Sequence, residues 1–241
     1  MIVIEREVIG LQTVKRLLVI SDMHGQIDAF NALLDKVNYT MEEDLLFLLG
    51  DYVDRGNNPK AVIKKARELE KQGAVTLKGN HEAMMEKALV DRDLLAVSHW
   101  AQNGGAQTLS SYGLSIENVY KEIQDGTLTL PDALQDDLEW IQQLNVYAET
   151  EHYFFVHAGV DPEKEISQTD QETFLWIRTP FFEGYCGEKT VIFGHTPTMN
   201  LHDSSAVFFG ENNIIGIDGG CVFGGQLNCL ELPSKATYSV N

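Results

Sequence analysis

The chain has 241 residues, 44% hydrophobic and 22% charged, the make-up of a soluble globular protein with room for one large domain or two small ones. Its formal net charge of -18 argues against extended contact with nucleic acid or an anionic membrane, which needs clustered Lys and Arg. A small anionic substrate stays open, because bound divalent cations reverse the sign locally.

The run Leu17-Leu18-Val19-Ile20 has the look of a leader core. It is short, Glu5, Arg6, Glu7, Lys15 and Arg16 precede it, and no small-residue cleavage site follows. It reads as a first strand over 16–21 of a cytoplasmic protein, and no apolar stretch reaches the length of a membrane span. A helix follows over 27–37, with Ile27, Phe30, Leu33, Leu34 and Val37 on one face. A strand over 45–49 precedes a helix over 59–72, which has Pro59 at its start and Gly73 past its end. A strand over 74–77 leads into a helix over 81–90. From 93 to 144 the pattern is helices and loops without strand signals, read as a helical insertion or cap. Strands resume over 146–148, 153–156, 190–193, 206–209, 214–217 and 226–231. Strand–turn–helix repetition followed by a strand-rich half predicts an α/β fold of two packed sheets with helices outside. No linker or repeat appears, so a single domain over 1–241 is expected. Cys186, Cys221 and Cys229 form no Cys-x-x-Cys pair and read as small buried or loop residues.

Five islands carry the chemistry: Asp22-Met23-His24-Gly25, Gly50-Asp51-Tyr52-Val53-Asp54-Arg55-Gly56, Gly79-Asn80-His81-Glu82, Val156-His157-Ala158-Gly159 and Gly194-His195-Thr196-Pro197. A strand ending in a glycine turn delivers a polar side chain to the sheet edge, where open α/β sheets bind ligands. One Asp-x-His alone is more often a capped turn, and one histidine after a strand is more often structural. Five such deliveries in one frame point to a shared pocket of oxygen and nitrogen donors. Asp22 and His24, two apart, can reach one ion, and the two oxygens of Asp51 can bridge to another served by Asn80, His157 and His195. A two-metal site of this kind acidifies water, orients a phosphate ester and stabilises developing charge. The donor set fits manganese, with iron or zinc as alternatives, better than calcium. His99, His152 and His202 match no ligand position. Neither a Walker lysine motif nor a Gly-x-Ser-x-Gly elbow occurs.

From about Leu17 to about Leu230 the ordered islands resemble the calcineurin-like metallophosphoesterases. Gly50-Asp51-Tyr52-Val53-Asp54-Arg55-Gly56 followed by Gly79-Asn80-His81-Glu82 resembles the phosphoprotein phosphatase branch in its bacterial and phage form. The resemblance implies a four-layer fold of two mixed sheets flanked by helices. It implies that Asp22, His24 and Asp51 hold one metal and that Asp51, Asn80, His157 and His195 hold a second. It implies that His81 is the general acid with Asp54 behind it, and that Arg55 and Arg178 clamp the phosphate. Arg178, in Leu175-Trp176-Ile177-Arg178, also has a plain reading as a helix-end cation. Asn103, before Gly104-Gly105, either borders the substrate pocket or ends a helix.

The reaction expected first is hydrolysis of phosphoserine or phosphothreonine in proteins. The alternative is a dinucleoside polyphosphate, such as diadenosine tetraphosphate, or a nucleotide-capped RNA end. Retention of Val53-Asp54-Arg55-Gly56 tips the expectation toward the phosphatase. A non-catalytic scaffold is the third reading, disfavoured because all six ligand candidates and the His81–Asp54 pair are present. Partners are thus phosphorylated proteins or small molecules, and the sequence does not speak to oligomeric state.

Overall fold

Short apolar runs that end in glycine turns become the strands of two sheets. The computed structural model describes residues 2–4, 7–9 and 14–241. Glu5 and Arg6, two of the charges weighed against a leader, lie outside the described residues.

The strands, in chain order, are β1 (Ile2–Ile4), β2 (Glu7–Ile9), β3 (Arg16–Ile20), β4 (Asp44–Leu48), β5 (Val75–Thr76), β6 (Tyr147–Glu149), β7 (Tyr153–Val156), β8 (Thr190–Phe193), β9 (Phe208–Phe209), β10 (Ile214–Gly216), β11 (Leu227–Leu232) and β12 (Thr237–Val240). The helices are α1 (Ile27–Lys36), α2 (Pro59–Lys71), α3 (Asn80–Leu89), α4 (Leu94–Trp100), α5 (Ala106–Ser111), α6 (Ile116–Gln124), α7 (Asp132–Gln143), α8 (Gln171–Trp176) and α9 (Thr179–Gly184). Three strands were not expected. β1 and β2 are three-residue runs that show no periodicity, and β12 alternates polar and apolar residues at the chain end.

One sheet runs β12-β11-β3-β4-β5 and the other β2-β1-β6-β7-β8-β10-β9. Both are mixed: β3, β4 and β5 are parallel, as are β7, β8 and β10, while the remaining pairings are antiparallel. Between them Val19, Phe47 and Leu49 meet Ala148, Phe155 and Ile192, and the rings of Phe47 and Phe155 stack at 3.9 Å. Residues of α1, α2, α3 and α7 bury their apolar stripes on the outer face of the first sheet. Those of α8 and α9 cover the second, so the layers run helix, sheet, sheet, helix.

Register then places the site. Ile20 pairs with Leu48, and Leu48 with Thr76, so three parallel strands end level, just before Asp22, Asp51 and Asn80. Phe155 pairs with Ile192, so β7 and β8 deliver His157 and His195 side by side. No helix among the described residues is long and apolar enough to cross a membrane.

Candidate dinuclear metal centre

The turns after these strands are held in backbone conformations that L-residues seldom adopt. Ten non-glycine residues have positive φ among those described, and six of them are Asp22, His24, Asp51, Asp54, Arg55 and His195. Such conformations persist only where surrounding contacts impose them, and they gather at functional sites. The glycines of the islands answer a different need. A Cβ on Gly79 would overlap Asp51 Oδ1, and one on Gly194 would overlap Asp22 Oδ2. Glu82 ties the second and third islands together. Its carboxylate, fully buried, accepts the backbone N–H groups of Asp51 (2.8 Å), Tyr52 (2.8 Å), Val53 (3.2 Å) and Gly79 (2.9 Å).

Two groups of donor atoms converge, one of His24, Asp51 and His81 and one of Asp51, His157 and His195, all buried. Asp51 faces both: Oδ2 lies 3.4 Å from His24 Nε2, and Oδ1 lies 3.4 Å from His157 Nε2. Backbone carbonyls set the tautomers. His24 Nδ1–H donates to the Val53 carbonyl at 2.8 Å, and His157 Nδ1–H to that of Leu49 at 2.8 Å. Both Nε2 atoms are thereby left unprotonated, each with a lone pair turned into the site, the arrangement usual for a ligating imidazole. Asn80 Oδ1 lies 2.8 Å from His157 Nε2 and 2.9 Å from His195 Nδ1. Asp22 is placed differently from its expected partners. Both its oxygens accept the His195 N–H, at 3.1 and 3.0 Å, and it falls in neither convergent group.

His81 stands in the first group, yet its Nδ1 is engaged by Asp54 Oδ2 at 2.6 Å and its Nε2 is 3.9 Å from Asp51 Oδ2. Asp54 is fully buried and held from the helical segment. Thr108 Oγ1 donates to Oδ1 at 2.6 Å, and Trp100 Nε1–H reaches both oxygens at 3.0 and 2.9 Å. The Asp54 N–H in turn donates to Thr108 Oγ1 at 2.9 Å. The same segment holds Arg55, whose N–H donates to the Gly104 carbonyl at 3.1 Å. Arg55 Nη1 donates to His24 Nε2 at 2.7 Å, so its guanidinium supplies the positive charge this lone pair faces. Arg178 lies between α8 and α9, where its Nη1 donates to Thr196 Oγ1 at 2.6 Å and to the His195 carbonyl at 3.3 Å. It therefore reaches the site rather than merely ending a helix. Asn103 donates to the His99 carbonyl at 2.9 Å, one turn back.

Arg55, Arg178, His195, Asn200, Asp218 and Phe223 line a cavity of about 410 Å³ beside the donor groups. Asn103 is not part of its lining.

Burial governs the electrostatics. It pushes the imidazoles of His24, His81, His157 and His195 below their usual range, aided at His24 by His81 and at His81 by Arg55. It pushes Asp51 well above the usual carboxylate range, reinforced by the charge of Asp22 and then of Glu82. Asp218 goes the same way, again reinforced by Asp22. Buried carboxylates that repel one another are costly without nearby positive charge. Neutral imidazoles with aimed lone pairs, an amide oxygen between two of them and a carboxylate facing both groups form a donor set that fits two divalent cations. Among the described residues His195 Nε2, buried, has no partner that meets hydrogen-bond geometry, and the Trp176 backbone only partly offsets the lowering of this imidazole by burial.

Five participants escaped the sequence reading: Glu82, Trp100, Thr108, Asp218 and Phe223. Glu82 stood in an island and could have been found as the acceptor that a glycine-led helix start needs. Trp100 and Thr108 carry no local signal. They meet Asp54 across 46 and 54 residues.

The profile of the calcineurin-like phosphoesterases matches residues 15–199. The chain is 27% identical over 244 residues to the asymmetrical bis(5'-nucleosyl)-tetraphosphatase PrpE of Anoxybacillus flavithermus, covering 92% of each. It is 28% identical over 183 residues to a symmetrical bis(5'-nucleosyl)-tetraphosphatase of Stutzerimonas stutzeri, covering 70% of this chain and 56% of that one. A crystal structure of a putative diadenosine tetraphosphatase superposes with a TM-score of 0.68 at 20% identity, covering 96% of this chain and 95% of the other. That likeness is one of fold. A profile match over most of the chain, on the islands that build the donor groups, makes this protein a metal-dependent phosphoesterase: it belongs to the calcineurin-like phosphoesterases.

Proposed function

We propose that this chain hydrolyses dinucleoside polyphosphates at the α-phosphate. The observation that carries the reading is Phe223. It is 66% exposed at the edge of the arginine-lined cavity, and the Arg55 guanidinium carbon lies 5.1 Å from its ring centre. An aromatic ring with Arg55 over it, most of its surface open, in a cavity that Arg178 also lines, suits a base joined to a phosphate. The tetraphosphatase relatives, alike over most of the chain, support the same substrate class. They reverse the order expected from Val53-Asp54-Arg55-Gly56 alone.

Arg55 reaches both the Phe223 ring and His24. A nucleoside stacked on Phe223 would thus have its own first phosphate at the donor groups, which leads to a nucleoside monophosphate and a triphosphate as products. Arg55 and Arg178 hold the non-bridging oxygens. Two divalent ions, held by Asp22, His24 and Asp51 and by Asp51, Asn80, His157 and His195, supply when bound an acidified water and charge neutralisation; manganese suits these donors, as would iron or zinc. Water oxygen bonds to phosphorus as the bond to the leaving triphosphate oxygen breaks. His81, whose Nδ1 is held by Asp54, passes a proton from Nε2 to that oxygen in this reading.

The second reading remains phosphoserine or phosphothreonine hydrolysis. Its support is the built Asp54–His81 pair, since an alkoxide needs a proton more than a triphosphate does. With manganese present, rates on diadenosine tetraphosphate and a phosphothreonine peptide should be compared directly, with chromatography of the products. The expected result is preference for the dinucleotide, release of AMP and ATP, and a KM raised about tenfold by Phe223→Ala. Preference for the peptide, with Phe223→Ala neutral, restores the phosphoprotein reading.

A further inference from the structure

The loop after β10 carries a group that phosphate binding does not call for. Asp218 is 5% exposed and faces the cavity shared by Arg55, Arg178 and Phe223. Its Oδ1 accepts the Gly220 N–H at 2.8 Å, and its carbonyl accepts the Thr198 N–H at 2.7 Å. Among the described residues no donor reaches Oδ2 within hydrogen-bonding distance, and both arginines act on it without an ion pair. The loop is rigid. Phe223 N–H and Gly225 N–H donate to the Gly220 carbonyl at 2.9 and 3.0 Å, and Gln226 N–H to that of Gly219 at 3.1 Å. Gly220 and Gly224 sit at φ 69° and 84°, and a Cβ on Gly219 would overlap the Gln226 carbonyl. One loop therefore fixes a buried carboxylate oxygen and an exposed aromatic ring five residues apart.

A carboxylate repels phosphate oxygens, so beside a phosphate clamp it calls for a hydrogen-bond donor on the substrate. In a nucleotide the ribose hydroxyls stand between the phosphate and the base. We propose that Asp218 is a specificity-determining residue that accepts a hydrogen bond from a ribose hydroxyl, while the base lies on Phe223 and the phosphate on Arg55 and Arg178. The proposal rests on the nucleotide reading above.

The test uses the manganese-loaded enzyme on three substrates: diadenosine tetraphosphate, its analogue lacking the 2' and 3' hydroxyls on both riboses, and p-nitrophenyl phosphate. Wild type should lose roughly ten- to a hundredfold in kcat/KM on the deoxygenated analogue, the worth of a hydrogen bond to a charged group. Asp218→Ala should lose a similar factor on the natural dinucleotide, mostly in KM, and should no longer distinguish the two. Its loss on p-nitrophenyl phosphate should be much smaller. Equal wild-type rates on both dinucleotides would overturn the proposal, and that comparison needs no variant to fold. So would equal losses of Asp218→Ala on all substrates, which would make Asp218 a loop pin. A wild type that hydrolyses p-nitrophenyl phosphate but neither dinucleotide removes the nucleotide reading itself, an outcome distinct from the other two.

Discussion

His81 Nδ1 lies 2.6 Å from Asp54 Oδ2, and neither side chain touches bulk solvent to any extent. The pair can donate from Nε2 only while it holds two protons, one at Nε2 and one shared between Nδ1 and Oδ2. Burial pushes Asp54 up to about 7, which keeps the second proton on the pair near neutrality.

His81→Asn should therefore act according to the leaving group. Metal content should stay, while turnover of alkyl phosphates falls about 10²–10⁴-fold. p-Nitrophenyl phosphate, whose leaving group needs little protonation, should lose far less. Steady-state rates on both esters check this, and equal losses would count against His81 as the acid.

Asp51 is the residue both donor groups share. Asp51→Asn should loosen both ions together, so that elemental analysis after gel filtration shows metal lost and activity gone. Metal content and rate near wild type would sink the shared role.

Thr108→Val removes a donor to Asp54 Oδ1 and an acceptor for the Asp54 N–H, both buried. It should cost about 1–3 kcal/mol of stability in urea unfolding. Its kinetic loss should fall on alkyl phosphates first, because it acts through the acid pair. A purely structural residue would lower all substrates alike.

Asp54 also has a pH signature in the metal-free protein. Its folded carboxyl is raised from 3.8 to about 7, so between those values the folded chain holds a proton that the unfolded chain has released. The resulting stability is full at low pH and is lost as pH rises through about 7. Melting temperature of chelated wild type should fall more steeply across that window than that of Asp54→Asn. Parallel slopes would contradict the raised value.

Much of the candidate site was legible because each candidate ligand stands within three residues of a glycine in a short island, mostly after an apolar run. The Gly-Asn-His-Glu and Gly-Asp-Tyr-Val-Asp-Arg-Gly spellings locate strand ends and ligand types within a few residues. The segment from 93 to 144 was legible only as helices. It was expected as a helical insertion or cap, and in the structure it holds residues of the site: Trp100 and Thr108 grip Asp54, and the Gly104 carbonyl holds Arg55. Asn103, the residue singled out there, turns its amide back to His99.

By itself the sequence determined the kinds of donor and their order along the chain, because hydrophobic period and turn chemistry are local. Only the tertiary structure decided that Asp51 faces both donor groups, that Asp22 meets the His195 N–H across 173 residues, and that Asp218 and Phe223 share the cavity of the two arginines. Those relations follow from strand register and from two sheets packing at Phe47 and Phe155, and no local pattern of residues encodes a distance set by packing between remote strands.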